Sequence, residues 1–369
     1  MNILIFNWQD IKNPFGGGAE VHLHEIFKRI VAIGHSVTLV SCKHKDLSNS
    51  EIIDGINVLR FGDRNLFNFL VPFLYKEITK TQKFDIVIDD INKIPFYTPL
   101  FVKEPLLAIS HHFFGTSIFK EAGFIAGSYV YLAEKLVDFV YKKTKFIVVS
   151  ESTKDEFKNR GFDTSKFEIV YNAITQEDYP FQICEKETNP TITYFGRIKK
   201  YKSVDHLFHS FAKVKETIPN AKLWIIGRGD FQDYLENLSK ALNIEKDVVF
   251  HGFVDDKKKI ELLSKSHIVV NTSMKEGWGI TNIEANACGT LVVSANVPGL
   301  KDSVKDGESG LLYDYGNIDD LTNKLLNVLQ SDDLLNKLSL GALKWAKSFT
   351  WNDSANKMLA ILEKLIKHT

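Results

Sequence analysis

The sequence predicts an α/β protein with two doubly wound parallel-sheet domains. Short apolar runs rich in Val and Ile alternate with amphipathic helical segments along most of the chain, a pattern typical of parallel sheets covered by helices. The alternation stops in a polar stretch at residues 183–190 and then starts again, and the length of 369 residues also suits two domains. We therefore expect domains at residues 1–182 and 183–348, facing each other across a cleft, and a helical segment at 349–369.

The first half opens with a predicted strand at Asn2–Asn7, because its continuous apolar run is typical of a strand buried on both faces. After a polar loop, apolar residues at helical spacing predict a helix over 19–33, which Gly34 ends. The remaining strands of this half are predicted, with helical segments between them, at Ser36–Ser41, Ile86–Asp89, Leu106–Ser110 and Phe146–Val149.

The second half repeats the same alternation. Its predicted strands are Thr191–Phe195, Lys222–Ile226, Val248–His251, His267–Thr272 and Thr290–Ser294. Its predicted helices are Ser203–Glu216, Phe231–Leu242, Lys257–Lys265 and Gly279–Cys288, and a final helix follows at Asn352–Lys367. Because open parallel sheets bind ligands outside the carboxyl ends of their strands, we expect the functional residues in loops that directly follow strands.

Composition excludes several classes of protein. The chain is 44% hydrophobic and 25% charged, which excludes fibrous and disordered proteins, and its 46 basic residues balance 46 acidic ones. Dedicated nucleic-acid binders carry a basic excess instead. Cys42, Cys184 and Cys288 lie far apart without a Cys/His cluster, so we expect neither a disulfide framework nor a bound metal. The apolar N-terminus resembles a buried strand rather than a signal peptide, and no apolar run reaches the roughly 18 residues of a membrane span. We expect a cytoplasmic protein.

Three glycines, Gly16, Gly17 and Gly18, precede the first predicted helix. Glycines let a backbone approach a ligand closely, and a helix N-terminus attracts anions. The spacing is not the GxGxxG of dinucleotide-binding proteins. A tight turn without a binding role explains the triplet equally well.

A basic segment, GRIKKYK, directly follows the first strand of the second half. Its Arg197 can hold a phosphate through two hydrogen bonds, and its Lys202 supplies a compact positive charge. Together they can neutralise a diphosphate. A solvated basic loop is the alternative interpretation, and we favour it for Lys199 and Lys200.

The segment EGWGITNIE places Glu276 in a loop after a strand and Glu284 on the next helix, one turn beyond Ile280. Small residues after Glu284 indicate a helix that packs closely on the sheet. A carboxylate buried there requires partners, and two vicinal hydroxyls, as on a ribose, would satisfy it. The glycines free backbone N–H groups to face a sugar. The alternative is a surface glutamate on an ordinary helix.

Two further motifs also follow strands. His111 and His112 come after the strand that ends at Ser110, where a histidine can contact a substrate hydroxyl or a reacting centre. A structural histidine is the alternative. The segment GRGD at 227–230 lacks a third glycine, and a turn that starts a helix explains it as well as a nucleotide site does.

Taken in order, these segments resemble family 4 glycosyltransferases. The matching segments are GGAE, FGRIKKYKSVDHL, LWIIGRGD, VVFHGFV, EGWGITNIEANACGTLVV and VPGLKDSVKDGESGLLY, and they span nearly the whole chain. The resemblance implies a GT-B fold of two Rossmann-like domains, with a final helix that crosses back to the first. It also implies that a hexose moves from a UDP- or GDP-linked donor to a hydroxyl acceptor, with retention of configuration and without a metal or another cofactor.

The resemblance also implies a role for each motif. The second domain would hold most of the donor, and His111, Glu276, Arg197 and Lys202 would form the catalytic set. The family's histidine is usually followed by an acidic or other polar residue, whereas His112 follows here, so either histidine can face the donor sugar. The implied contacts are Arg197 and Lys202 with the diphosphate, Glu284 with the ribose, Glu276 and the amides of Gly277, Trp278, Gly279 and Ile280 with the sugar, and Gly17 and Gly18 with phosphate and sugar from the other domain.

The acceptor should contact the first domain, where Asp90, Asn92 and His112 are candidates. The family suggests a glycan or a lipid-linked acceptor in cell-envelope synthesis. The aromatic segments 67–75 and 113–141, flanked by basic residues, are typical of helices that lie on an anionic membrane. Internal packing of these helices is the alternative, and the first domain has no basic excess. We hypothesise weak, reversible association with the cytoplasmic face of a membrane.

Three alternatives stay open. A dinucleotide-dependent oxidoreductase is disfavoured by the missing GxGxxG. A non-catalytic sugar-nucleotide sensor is disfavoured by the intact charged motifs. A nucleotide-sugar epimerase or a sugar phosphorylase on the same fold would be distinguished by its products.

Overall fold

The protein forms two compact units in a computed structural model, which describes residues 1–91, 94–120 and 123–367. The first unit comprises Met1–Ala173 together with the residues from Trp351 onward, and the second comprises Ile174–Thr350. Each unit is built on its own predominantly parallel sheet.

The first unit contains an eight-stranded sheet in the order β3-β4-β2-β1-β5-β6-β7-β8. Its neighbouring strands are parallel except β3 and β4. The strands are β1 (Asn2–Phe6), β2 (Ser36–Cys42), β3 (Ser50–Ile53), β4 (Ile56–Phe61), β5 (Ile86–Ile91), β6 (Leu106–Ser110), β7 (Lys145–Val148) and β8 (Phe167–Ile169). The helices are α1 (Gly18–Ala32), α2 (Phe67–Thr81), α3 (Phe124–Val140), α4 (Glu151–Asn159) and, from the end of the chain, α11 (Trp351–Lys367).

The antiparallel hairpin of β3 and β4 is the main element that the sequence analysis missed. Its two-residue turn consists of Asp54 and Gly55, with φ of 47° and 82°. Positive φ at both positions is characteristic of a type I′ turn, for which Asp-Gly is a favoured sequence. The sequence therefore contained a signal for a hairpin turn, since Asp54–Gly55 lies between the apolar residues Ile52 and Ile53 on one side and Ile56 and Val58 on the other.

The second unit contains a six-stranded, wholly parallel sheet in the order β11-β10-β9-β12-β13-β14. Its strands are β9 (Thr191–Phe195), β10 (Lys222–Ile226), β11 (Val248–Gly252), β12 (Ile268–Asn271), β13 (Leu291–Ala295) and β14 (Gly310–Tyr313). Its helices are α5 (Val204–Thr217), α6 (Gln232–Ala241), α7 (Asp256–Lys265), α8 (Ile280–Ala287), α9 (Ile318–Leu329) and α10 (Asp332–Ala346). The two sheets confirm the predicted fold class. Between β9 and β12 the strand order reverses, and ligands of such sheets bind at this switch point.

The border between the units lies nearer the N-terminus than the predicted 182/183. Residues 174–182 belong to the second unit because Ile174 pairs with Thr350 in an isolated bridge. The Phe181 N–H also donates to the Ala287 carbonyl over 3.0 Å. These contacts tie the segment to Thr350 and to the last residue of α8 in the second unit, which polarity alone could not reveal.

The terminal helix α11 is part of the first unit, where it packs on α1. Arg29 Nε donates to Asn352 Oδ1 over 2.9 Å, and the Trp351 ring lies 6.2 Å from the His22 ring. Across the described ranges, none of the helices has both the length and the apolar character needed to cross a bilayer.

Candidate functional site

The loops after β9 and β12 meet at the switch point of the second sheet, and both carry motifs that the sequence analysis selected. Thr272 Oγ1 donates to the Lys202 carbonyl over 2.8 Å. The Met274 N–H donates to the Tyr201 carbonyl over 3.0 Å. These two bonds join the loops directly, so the basic segment and the EGWG segment form one site.

Lys202 and Glu276 form an ion pair in this site, in which Lys202 Nζ donates to Glu276 Oε1. Their side chains are only 15% and 19% exposed. Burial alone would lower the pKa of Lys202, but the adjacent Glu276 carboxylate outweighs it and raises that pKa. Lys202 is therefore fully charged at neutral pH.

Arg197 is exposed at the carboxyl end of β9. The Tyr194 hydroxyl donates to the Arg197 carbonyl over 2.9 Å, which fixes the backbone at this position. Among the residues that the structure describes, the Arg197 guanidinium makes no ion pair. The site thus combines one neutralised cation, Lys202, with one cation open to an anionic ligand.

The backbone of the EGWG segment is held by a second loop. Gly279, with φ of 79°, is the N-cap of α8, and Gly299 has φ of 83°. A Cβ at Gly299 would lie 2.0 Å from the Glu276 carbonyl oxygen, so a larger residue would displace this segment. The Trp278 ring is buried against Phe349 with ring centroids 5.2 Å apart. The ring of Trp278 therefore anchors the loop at the N-terminus of α8, where the Asn282 N–H donates to the Gly279 carbonyl over 3.0 Å.

Glu284 is buried on α8, as predicted, but it already has partners within the protein. Its Oε1 accepts a hydrogen bond from the Tyr179 hydroxyl over 2.7 Å and another from Lys259 Nζ over 2.8 Å. Burial raises the pKa of Tyr179, and the Glu284 charge raises it further. For Lys259, burial lowers the pKa, but Glu284 and Asp256 outweigh it and raise the pKa overall. No sequence motif marks either Tyr179 or Lys259.

The GRGD segment has a structural role in packing. A Cβ at Gly227 would lie 2.0 Å from the Gly196 carbonyl oxygen, and one at Gly229 would lie 1.9 Å from that of Ile198. Both glycines are therefore required for the loop after β10 to touch the basic segment. Asp230 pairs with Lys199 over 2.5 Å at the surface, as expected for the solvated part of that segment.

His111 follows β6 in the first unit and is buried. Its Nε2 lies 3.1 Å from Oδ1 of Asp90, at the end of β5, and the His22 ring contacts it edge-on at 5.2 Å. His112 is half-buried beside Phe114. Asp90 is fully buried, which disfavours its predicted contact with an acceptor. Asn92, the third acceptor candidate, lies outside the described residues.

The glycine loop before α1 is a capped helix start. The Gly17 N–H donates to Glu20 Oε2 over 2.6 Å, in the manner of a capping box. A Cβ at Gly18 would meet no atom within 4 Å, so packing within the protein does not require glycine there. The Gly17 amide is used internally, whereas Gly18 leaves room for a close ligand.

Within the described part of the chain, no group of three or more His, Cys, Asp or Glu side chains has an arrangement that could hold a metal ion.

Comparison with known proteins identifies the family of both units. The family described as "Glycosyltransferase Family 4" matches residues 16–178, and "Glycosyl transferases group 1" matches residues 175–345. An uncharacterised glycosyltransferase of Methanocaldococcus jannaschii is 29% identical over 335 residues, which cover 84% of each chain. This assignment replaces the oxidoreductase alternative.

Solved structures agree on the fold. Sucrose-phosphate synthase from Thermosynechococcus elongatus superposes with a TM-score of 0.83 at 17% identity, over the full length of both chains. HepE of Anabaena, crystallised with UDP-glucose, superposes with a TM-score of 0.76 at 18% identity, over 99% of this chain and 100% of that one. The chain belongs to glycosyltransferase family 4 and is an enzyme with the GT-B fold.

Proposed function

We propose that this glycosyltransferase moves a hexose from a UDP- or GDP-linked donor to a hydroxyl acceptor, with retention of anomeric configuration. The observation that carries the proposal is the charged site at the switch point of the second sheet. There an open cation, Arg197, lies in the segment whose Lys202 is already paired with a carboxylate. Such a site suits a diphosphate. HepE, whose crystals contain UDP-glucose, supports UDP as the first donor to test.

Each part of the donor then has a partner. Arg197 and Lys202 bind the diphosphate, and Glu284 binds the ribose hydroxyls. Glu276 and the amides of residues 277–280 bind the hexose. We propose that Gly17, Gly18 and His111 of the first unit also contact the donor. Asp90, 3.1 Å from His111 Nε2, would orient the His111 ring.

The chemistry requires positive charge at the departing diphosphate. The bond between sugar C1 and the phosphate oxygen breaks, and C1 bonds to the acceptor oxygen on the same face. The proton of the acceptor hydroxyl moves to the departing phosphate. Arg197, Lys202 and the N-terminus of α8 stabilise the developing charge, so we propose that no divalent metal is needed.

A thermal-shift panel of nucleotide sugars tests this function. A donor at 100 times its Kd should stabilise the protein by roughly 2.7 kcal/mol. For a unit of this size the Tm should rise by about 5–10 °C. The rise should be unchanged in excess EDTA. A panel without any stabilising nucleotide sugar would contradict the proposal, and a rise that EDTA abolishes would contradict metal independence.

We also propose that the acceptor is a glycan or a lipid-linked molecule of the cell envelope, reached by weak peripheral binding to the cytoplasmic face of a membrane. The first unit carries exposed apolar side chains on α2 and α3 and on Leu66 directly before α2. A hydrogen bond of 3.2 Å from Asn68 Nδ2 to the Tyr129 hydroxyl joins the two helices. We call this set the apolar patch. Its members are Leu66, Phe69, Phe73, Phe124, Ile125, Leu132, Leu136 and Phe139.

The charges around the apolar patch favour an anionic surface. Lys142 and Lys143 are exposed directly after α3. The two acidic residues of α3 are engaged elsewhere: Glu134 accepts from the Phe114 and Gly115 amides, and Asp138 pairs with Arg160 over 2.6 Å. Each basic residue near an anionic membrane contributes about 1 kcal/mol, so the association should be reversible.

Co-sedimentation with phosphatidylcholine vesicles, with and without phosphatidylglycerol, tests the apolar patch. We expect binding to the anionic vesicles that decreases at high salt and is lost in an Ile125→Ser, Leu132→Ser double variant. Phe253→Ser is the matched control, because Phe253 is 76% exposed in the other unit. Absence of binding at low salt would contradict membrane association and favour a soluble acceptor.

A further inference from the structure

Two residues outside the predicted motifs hold the Glu284 carboxylate. Tyr179 lies in the segment that precedes the second sheet, and Lys259 lies on α7, whereas Glu284 lies on α8. Three separate elements therefore converge on one carboxylate.

Both hydrogen bonds end on the same oxygen. The Tyr179 hydroxyl and Lys259 Nζ donate to Oε1 over 2.7 Å and 2.8 Å. In the described part of the chain, Oε2 of Glu284 accepts no hydrogen bond. Because both hydrogen bonds hold Oε1, the carboxylate cannot rotate freely. Oε2 therefore keeps a fixed direction and can still accept hydrogen bonds from a ligand.

The charge of Glu284 is balanced within the protein. The side chains of Lys259 and Glu284 are only 12% and 11% exposed. Lys259 Nζ also pairs with Asp256 over 2.8 Å and lies 5.6 Å from the centre of the Phe195 ring, at the carboxyl end of β9. The ammonium is thus enclosed beside the switch point, where it pairs with Glu284 inside the protein.

We propose that Tyr179 and Lys259 are positioning residues, which fix Glu284 so that Oε2 receives the two ribose hydroxyls of the donor nucleotide. This inference rests on the proposed function, because it assumes that Glu284 faces the ribose. Its consequence is selectivity: Glu284 distinguishes ribonucleotides from deoxynucleotides, and its preference depends on two residues that do not touch the nucleotide themselves.

Calorimetric titration with UDP and with 2′,3′-dideoxy-UDP, and with the two guanosine counterparts, tests the inference. Tyr179→Phe should weaken UDP binding about fivefold, as for the loss of one hydrogen bond, and leave dideoxy-UDP binding unchanged. Lys259→Met should weaken UDP binding at least about tenfold, because the lost bond is charged. If the enzyme prefers guanosine nucleotides, we expect the same losses for GDP and unchanged binding of dideoxy-GDP.

Two further variants separate a role in positioning Glu284 from a general effect on folding. Tyr75 donates to Glu104 over 2.6 Å in the other unit, so Tyr75→Phe removes a similar bond and should leave both affinities unchanged. Glu284→Gln should abolish the preference for UDP over dideoxy-UDP. Circular dichroism and Tm confirm the fold of each variant.

Equal losses for UDP and dideoxy-UDP in Tyr179→Phe would overturn the inference, because they would indicate a purely structural role. An unchanged preference in Tyr179→Phe, with the preference lost in Glu284→Gln, would also overturn it but leave the proposed function standing. A wild-type enzyme that binds neither UDP nor GDP would instead remove the proposed function, and this inference with it.

Discussion

Replacing Lys202 with Ala is expected to lower kcat by about 10²–10³-fold, the range measured when one stabilising donor is removed from a transition state. In the proposed metal-independent mechanism, Lys202 and Arg197 supply most of the positive charge for the departing diphosphate. Loss of Lys202 also removes the ammonium that pairs with Glu276, so the site loses one positive charge beside the diphosphate. Turnover should be compared with circular dichroism on the same sample, because we expect the fold to persist.

Lys199 provides the matched control for this variant. It lies in the same segment but pairs with Asp230 at the surface, where the two side chains are 41% and 70% exposed. Lys199→Ala should therefore keep nearly full activity. Full activity of Lys202→Ala, or an equal loss in both variants, would remove Lys202 from the catalytic set.

Glu276→Gln is expected to separate nucleotide binding from transfer. Transfer should fall at least about 100-fold, because the variant loses a charged contact with the hexose. UDP itself should bind at least about threefold tighter, because Lys202 is released from its ion pair and the site gains net positive charge. Calorimetry of UDP at low and high salt measures this gain, which should shrink as salt screens it.

The control for Glu276→Gln is Glu308→Gln, since Glu308 pairs with Lys305 over 2.9 Å at the surface of the same unit. Glu308→Gln should change neither the rate of transfer nor the affinity for UDP. If UDP bound more weakly to Glu276→Gln than to the wild type, the ion pair would not compete with the diphosphate, and its proposed role would be wrong.

Local sequence pattern predicted most of the sheet architecture. Apolar strands and amphipathic helices are marked by neighbouring residues in the sequence, so local pattern alone predicted β9, β12 and the loops that follow them. Their adjacency at the switch point follows from the parallel topology. The predicted motifs at Arg197, Lys202 and Glu276 therefore lie together at the carboxyl ends of β9 and β12.

Contacts between residues far apart in the sequence could not be predicted from local pattern. Tyr179 reaches Glu284 from 105 positions away, and no local periodicity marks a hydroxyl that will meet a carboxylate. Glu284 was expected to need partners, but its two protein partners could not be identified from the sequence for this reason. The unit border at 173/174 was missed similarly, because Ile174 is held by pairing with Thr350.

The β3–β4 hairpin was missed for a different reason. Its Asp54–Gly55 turn is a local signal, but the flanking strands are short, and the surrounding pattern suggested only parallel strands. Gly227 and Gly229 illustrate the converse case. Their spacing resembled a partial nucleotide motif, whereas the structure assigns them to close packing of two loops.

A crystal structure of the enzyme with UDP in excess EDTA tests the central claim most directly. The account predicts the diphosphate within hydrogen-bonding distance of Arg197 and Lys202, with the ribose hydroxyls on Glu284 Oε2 and no metal beside the phosphates. UDP bound away from the carboxyl ends of β9 and β12, or a diphosphate without contact to either cation, would contradict it.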